Sequence, residues 1–242
     1  MELKEYKLMY QSENAHWWFS AKRLFIKTYL SFLPKKKKLK ILDIGCGTGR
    51  NLELLNKFGF TSGIDSSKLA VKFCKKRGLK NINYGLANKL SYSLSVFDLI
   101  TLFDVLYHKE IKNDLQVLKE AYRVLKSKGF ILVTDCAYQF LYGPHDQAMH
   151  ARQRYLKKEL ESKLKKAGFK IIKSSHIFTF TSPFLLINRL LSKYLKLKSG
   201  SDVSPTPGLI NQLLIFILKI ESNLLSFINL PFGSSIIILA QK

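Results

Sequence analysis

Cysteines and acidic residues are scarce in this sequence. Its three cysteines, Cys46, Cys74 and Cys136, form no C-x-x-C pair, which argues against a disulfide framework or a zinc site. Such cysteine usage predicts a reducing compartment. Only 17 Asp and Glu residues accompany 40 Lys and Arg residues, so the formal net charge of the 242 residues is +23. This charge either reflects lysines spread over solvated faces or indicates anionic partners such as nucleic acid or anionic lipid.

Long apolar runs are lacking as well. The longest candidates, residues 177–188 and 208–218, fall well short of the roughly 20 residues needed to span a bilayer. The first 19 residues are charged and contain no apolar core of a signal peptide. We therefore expect a cytoplasmic protein. The positive charge and the apolar stretches near the C-terminus leave open a peripheral contact with the inner membrane face, or a homodimer.

Short apolar runs alternate with amphipathic stretches between residues 39 and 178. The runs LKILDI (39–44), FDLITLF (97–103) and FILVTD (130–135) predict buried strands. Further strands are predicted at 61–65, 82–84 and 170–178, and helices at 49–59, 66–78, 111–129 and 156–169. Alternating strands and helices with short connections predict an α/β fold in which helices cover both faces of a mostly parallel sheet.

Four regions are predicted along the chain. Residues 1–34 are aromatic-rich and helical, and they form either a lid over a pocket or a helix docked on the core. Residues 35–178 form the α/β core. Residues 179–235 read as an insertion with two apolar helices, at about 181–197 and 208–228, that serves as a substrate cap, a dimer contact or a membrane contact. Residues 236–242 return as the final strand of the core.

A glycine-rich turn follows the first predicted strand. Gly45, Gly47 and Gly49 give G-x-G-x-G, and Arg50 occupies the position of the third glycine in the dinucleotide fingerprint. Ligands of α/β sheets bind at the carboxyl ends of strands, where this turn lies. Asp65 ends the second strand, 20 residues after Gly45, and suits a carboxylate that accepts hydrogen bonds from ribose hydroxyls.

The stretches ILDIGCGTGRNLELL, GIDSS, FDLITLFDVLYH and LKSKGFILVTD resemble the class I S-adenosylmethionine (SAM)-dependent methyltransferases in order and spacing. The resemblance implies a Rossmann-like sheet of seven strands whose last strand is antiparallel. It also implies SAM as cofactor and S-adenosylhomocysteine as product. The segment around HWWF and the pattern H-D…H-x-R-x-R-Y look like the type 11 or type 12 subgroup of these enzymes.

The resemblance assigns roles to residues of this chain. Asp43 and the backbone at Gly45 and Gly47 would hold the methionine end of SAM, and Asp65 would hold the ribose. The full predicted cofactor set is Asp43, Gly45, Cys46, Gly47, Gly49, Asp65, Ser66, Leu86, Ala87, Phe103, Asp104 and His108. The sequence departs from the family at Leu86, where relatives commonly place an acidic residue facing the adenine amino group, and at Tyr107, where a glutamate is frequent.

Residues 137–160 follow the fifth strand and concentrate ionisable side chains. Two histidines beside an aspartate suggest a general base and its orienting partner, so the predicted catalytic residues are His145, Asp146 and His150. The predicted substrate-binding residues, including two arginines for an anionic group, are Trp18, Arg23, Tyr138, Arg152, Arg154 and Tyr155. The alternative is a surface helix with ordinary polar residues. No metal site is expected.

The leading functional interpretation is methyl transfer from SAM, by in-line displacement, to oxygen or nitrogen of a small-molecule or lipid- or glycan-linked acceptor. A nucleic-acid (RNA) methyltransferase is the first alternative, motivated by the charge. Against it, the fourth strand is followed by DVLYH and not by the Asn/Asp-Pro-Pro-aromatic tetrapeptide of enzymes that methylate base amino groups. The second alternative is a SAM-binding scaffold protein without catalytic activity.

Overall fold

The computed structural model describes residues 3–34, 38–194 and 206–242. Its strands are β1 (Leu39–Ile44), β2 (Gly59–Asp65), β3 (Ile82–Tyr84), β4 (Phe97–Phe103), β5 (Leu125–Cys136), β6 (Lys170–Ile177) and β7 (Ser235–Gln241). They form one sheet in the order β3-β2-β1-β4-β5-β7-β6, and β7 runs antiparallel to both of its neighbours. The predicted Rossmann-like sheet of seven mostly parallel strands is thus confirmed.

The helices in the described residues are α1 (Leu3–Ser12), α2 (Trp17–Leu30), α3 (Arg50–Leu55), α4 (Lys68–Lys76), α5 (Asp114–Val124), α6 (Pro144–Ala148), α7 (Lys157–Lys166), α8 (Ser182–Tyr194) and α9 (Gly208–Leu224). Alternate residues of the central strands enter two separate apolar clusters. Leu42 and Ile100 join one cluster, whereas Ile41 and Leu99 join the other. Because side chains alternate across a strand, both faces of the sheet are buried.

Two predicted element boundaries were wrong. Residues 125–129 begin β5 and do not end a helix, because Leu125 pairs with Phe97 in the sheet and is fully buried. Gly59 begins β2 and does not cap a helix. A Cβ at Gly59 would lie 1.9 Å from the carbonyl oxygen of Leu39, so glycine allows the two strands to approach closely.

The N-terminal helices and the two apolar helices near the C-terminus pack together. The hydroxyls of Thr28 on α2 and Ser222 on α9 lie 2.8 Å apart, and the backbone amide of Trp17 donates to Oδ1 of Asn211 at 2.7 Å. Residues 195–205 of the predicted insertion lie outside the described residues. No helix in the part of the chain that the structure describes is long and apolar enough to cross a bilayer.

Candidate active site

The carboxyl ends of β1, β2, β4 and β5 open into one cavity of about 1540 Å³. Its wall includes Gly45, Asp65, Asp104 and Cys136, which follow or end these four strands. Helices α1, α2, α8 and α9 complete the wall on the other side. Pockets that hold a drug-sized ligand measure roughly 300–1,000 Å³, so this cavity has room for two molecules.

The glycine turn forms a backbone cradle at one end of the cavity. Gly45 and Gly47 have φ values of 73° and 55°, in the left-handed region that favours glycine. The amides of Gly45 and Cys46 both donate to the carbonyl oxygen of Ile64, at 2.8 and 3.0 Å. A Cβ at Gly47 would meet only the methyl group of Met9, at 3.4 Å, so the backbone there faces the cavity.

Asp65 lies beside this cradle and is almost fully buried. Its Oδ2 accepts from the amide of Gly47 at 2.9 Å, and its Oδ1 accepts from the amide of Ser67 at 2.8 Å. Burial raises the pKa of Asp65, and the two amides oppose that shift. Each carboxylate oxygen can accept a second hydrogen bond, so Asp65 can hold two neighbouring hydroxyl groups.

Two residues of the predicted cofactor set do not line the cavity. Asp43 is 1% exposed and accepts from the hydroxyl of Thr101 at 2.6 Å, and burial raises its pKa to about 7. Gly49 precedes α3 with φ 88°, and a Cβ there would lie 2.5 Å from Cδ1 of Leu79. In this structure both residues therefore shape the turn from behind the cavity wall.

The side of the cavity next to β3 is formed by Leu86, Ala87 and His108, with Ser66 nearby on the wall. Leu86 is half exposed. Burial lowers the pKa of His108 to about 4. The ring of His108 lies 6.0 Å from the ring of His150, measured between centroids. This side therefore combines the apolar Leu86 and Ala87 with two ionisable groups, His108 and Glu110, and Glu110 accepts from the hydroxyl of Ser66 at 3.0 Å.

Lys22 and Asp104 form an ion pair between the two ends of the cavity. Asp104 follows β4 with φ 56°, and it also accepts from the hydroxyl of Thr134 at 3.3 Å. The Lys22 ammonium lies 4.7 Å from the ring centroid of Trp18. Burial lowers the pKa of Lys22 to about 8, and the nearby Cys136 and Asp135 oppose that shift.

The predicted catalytic residues His145, Asp146 and His150 all line the cavity. Asp146 is 1% exposed and its two oxygens accept from Arg154, at 2.9 and 3.0 Å. It also accepts from the amide of Gly143 at 2.8 Å. The Asp146–Arg154 ion pair therefore stabilises the position of α6. The arginine is neutralised by its partner, which weakens its predicted role as an anion ligand.

Among the predicted substrate-binding residues, Trp18, Arg23 and Arg154 line the cavity. The other three, Tyr138, Arg152 and Tyr155, do not line the cavity. They pack against other residues and form hydrogen bonds instead. Arg152 and the hydroxyl of Tyr155 both donate to the carboxylate of Asp114, at 2.7 and 3.0 Å. The ring of Tyr138 stacks on His176 with centroids 5.3 Å apart. These contacts fix residues 137–155 to the core.

Comparisons with known proteins identify the family. The methyltransferase domain family matches residues 35–186. An uncharacterised protein of Methanocaldococcus jannaschii is 30% identical over 166 residues, which cover 65% of this chain and 78% of that protein. The human EEF1A lysine methyltransferase 2 is 38% identical over 113 residues, which cover 40% of this chain and 47% of that enzyme.

The fold agrees with the family match. A SAM-dependent methyltransferase structure from Thermotoga maritima superposes with a TM-score of 0.61 at 18% identity, covering 99% of this chain and 96% of that one. The chain belongs to the class I SAM-dependent methyltransferases. Its cofactor is therefore SAM, as the sequence predicted.

The cradle of this methyltransferase fits SAM. The backbone at Gly47 faces the cavity without a side chain in the way, and Asp65 keeps an acceptor position on each oxygen for the ribose. Gly45, Cys46, Ser66, Leu86, Ala87, Phe103, Asp104 and His108 lie on the same wall and would surround the rest of the molecule. When bound there, SAM supplies a methyl group activated on a sulfonium.

Sequence reasoning missed two cavity residues whose partners are distant in sequence. Glu13 is 4% exposed and accepts from the hydroxyl of Thr48 and from Arg77, which ties the end of α1 to the glycine turn. Lys22 was passed over in favour of the adjacent Arg23. Its spacing from Trp18, four residues on a predicted helix, places both on one face and could have indicated it.

Proposed function

We propose that this methyltransferase modifies oxygen or nitrogen of a small molecule or of a lipid- or glycan-linked acceptor. The supporting observation is one continuous cavity that joins the cofactor cradle to a second region beyond the Lys22–Asp104 pair. That region is lined largely by apolar side chains of α2, α8 and α9. A lining of this kind suits a small or lipid-linked acceptor more than a folded nucleic acid, whose phosphates need charged partners.

The residues around the second region suit the two tasks of methyl transfer. Alignment of the acceptor atom with the methyl group is worth on the order of 7–11 kcal/mol, and the cavity wall supplies it. SAM held by the glycine cradle and Asp65 would supply the methyl group to a lone pair of the acceptor atom and would leave as S-adenosylhomocysteine. The displaced proton goes to a base, for which His145 is the candidate because it lines the cavity. A general base contributes ~10²–10⁴-fold.

The surface of α8 and α9 supports a peripheral contact of a cytoplasmic protein with the inner membrane face. Side chains at Leu209, Leu213, Phe216 and Ile220 are 85%, 57%, 60% and 44% exposed, at spacings that place them along one side of α9. When an interface covers apolar side chains in this arrangement, the free energy of the system falls. Flotation with anionic vesicles at low salt tests this contact. A concentration-dependent dimer without flotation would instead support the homodimer.

The function is tested with purified protein, methyl-labelled SAM and cell extract separated into organic-soluble, small aqueous and macromolecular fractions. Enzyme-dependent label in either extractable fraction is the expected result, and the Asp65→Ala variant serves as the control with weakened cofactor binding. Label confined to the macromolecular fraction would favour the nucleic-acid alternative, or a protein acceptor, and nuclease treatment separates these. SAM binding without label in any fraction would favour the scaffold.

A further inference from the structure

The second region of the cavity is an apolar chamber between α2, α8 and α9. We define the apolar chamber by six residues on its wall, Trp18, Phe178, Phe184, Leu185, Leu214 and Ile217. The rings of Trp18 and Phe178 stack with centroids 5.6 Å apart and planes 4° from parallel. The chamber is therefore lined by a stacked aromatic pair and by apolar side chains of α8 and α9.

The part of this wall that α8 and α9 form disfavours a sugar or an ion, whereas α2 adds the charged Lys22 and Arg23 to the cavity lining. The cavity-lining side chains that α8 and α9 contribute within the described residues include Asn188 as a polar group, and none of them is charged. A glycan or phosphate placed there would lose its hydrogen bonds to water, at a cost in free energy for each unpaired polar group. A hydrocarbon chain loses no hydrogen bonds, and its transfer out of water is favourable in free energy.

The apolar chamber is continuous with the protein surface. Phe184 and Ile210 line the cavity, yet 76% and 52% of their surfaces are exposed. They mark a mouth at which the apolar wall meets the solvent. The opposite end is polar, because Lys22 lies 4.7 Å from the Trp18 ring centroid and pairs with Asp104, which follows β4 directly. A molecule that spans the chamber is thus polar at one end and apolar at the other.

We infer that the acceptor of this methyltransferase is an amphiphile whose long hydrocarbon chain occupies the apolar chamber while its nucleophilic head faces Asp104. This inference rests on the proposed function and names the acceptor class within it. The chain leaves through the mouth at Phe184 and Ile210. Such an acceptor can come from a bilayer or from a dissolved amphiphile, since both present the same chain and head.

Both tryptophans of the chain, Trp17 and Trp18, line the cavity, so intrinsic fluorescence reports its occupation. The probes are straight-chain alcohols of 6 to 12 carbons with a terminal bromine, which quenches tryptophan on contact. The dissociation constant should fall roughly fourfold per added methylene until the chamber is filled, as expected from about 0.8 kcal/mol per buried methylene. An affinity independent of chain length would overturn the inference.

A matched pair of variants on α9 locates the site. Leu214 lines the chamber, whereas its neighbour Leu213 is 57% exposed and does not line the cavity. Leu214→Gln should weaken binding of the 12-carbon probe about tenfold, and Leu213→Gln should leave it unchanged. SAM binding, measured by calorimetry, should survive in both variants. Equal effects of the two substitutions on the probe would contradict the assignment.

The outcomes separate this inference from the function on which it rests. Intact SAM binding without chain-dependent quenching leaves a methyltransferase whose acceptor is not an amphiphile. Absence of SAM binding in the unmodified protein would overturn the proposed function itself. Quenching by phosphatidylcholine vesicles with brominated acyl chains would identify the bilayer as the source, whereas quenching by the dissolved alcohols alone would identify a free amphiphile.

Discussion

Replacement of Asp65 gives the most specific prediction about cofactor binding. Its carboxylate lies beside the glycine cradle, and each of its oxygens accepts from one backbone amide. Replacement by alanine removes the acceptors that we propose for both ribose hydroxyls. It also removes the acceptors for the amides of Gly47 and Ser67, which hold the glycine turn against the start of α4. The Asp65→Ala variant should therefore bind SAM more weakly while the sheet stays folded.

The magnitude follows from the kind of hydrogen bond that is lost. A hydrogen bond to a charged group contributes about 1.5–3 kcal/mol net. Water can enter the open cavity and hydrogen-bond to the freed amides. We therefore expect the loss of binding free energy to be close to that of one hydrogen bond, and not to the sum of the two ribose and two amide hydrogen bonds. The dissociation constant of SAM should rise roughly tenfold to a hundredfold, at about 1.4 kcal/mol per factor of ten. Asp65→Asn, which keeps one acceptor oxygen, should show a smaller rise.

Calorimetric titration with SAM measures this effect, and Asp98→Ala supplies the control. Asp98 lies in β4, accepts from the backbone amide of Lys40 at 2.9 Å and pairs with Lys126, but it does not line the cavity. Its replacement should leave SAM affinity unchanged. An Asp65→Ala variant that unfolds at the wild-type temperature and binds SAM as tightly as the wild type would refute the ribose assignment.

Three further predictions concern other residues. His145→Ala should lower kcat by ~10²–10⁴-fold and leave the SAM dissociation constant unchanged, and an unchanged kcat would remove His145 as the base. Asp43 has a pKa of about 7 in the fold and roughly 3.9 when unfolded, so its burial destabilises the protein as pH rises from about 4 to about 7. Asp43→Asn should thus gain stability relative to wild type across that window in urea titrations, and a constant difference would contradict this. Gly45→Ala should cost about 1–3 kcal/mol by thermal unfolding, because its Cβ would lie 2.5 Å from Val105. Gly78→Ala, at a similar φ of 79° but with no atom within 4 Å, should cost less.

The strands were predictable where the sheet buries both of their faces. Residues 97–103 are apolar at nearly every position, and β4 occupies that range because it lies in the middle of the sheet. The end of α5 was not predictable in the same way. Residues 125–129 continue a helical pattern of apolar and basic residues, but pairing of Leu125 with Phe97 draws them into β5. Pairing between the two strands therefore outweighed the local helical pattern at these residues.

The cofactor end of the cavity was predictable for a related reason. Each glycine of the turn adopts a positive φ, and Asp65 is the last residue of its strand. Glu13 and Lys22 meet partners 35 and 82 residues away, at Thr48 and Asp104, so local sequence patterns do not identify those partners. Residues that act through distant partners become visible only when the fold brings the elements together.

The two ends of the cavity also differ in which part of the chain builds them. The family match covers residues 35–186, which contain the glycine turn, Asp65, Asp104 and His145. Helices α2 and α9, which line the proposed acceptor side, lie outside that match, and the hydroxyls of Thr28 and Ser222 join them across 194 residues. Family membership therefore identifies the cofactor and the reaction, whereas in our proposal the acceptor contacts segments outside the family match. For this reason we expect changes on the inner side of α9 to alter which acceptor is methylated while SAM binding persists.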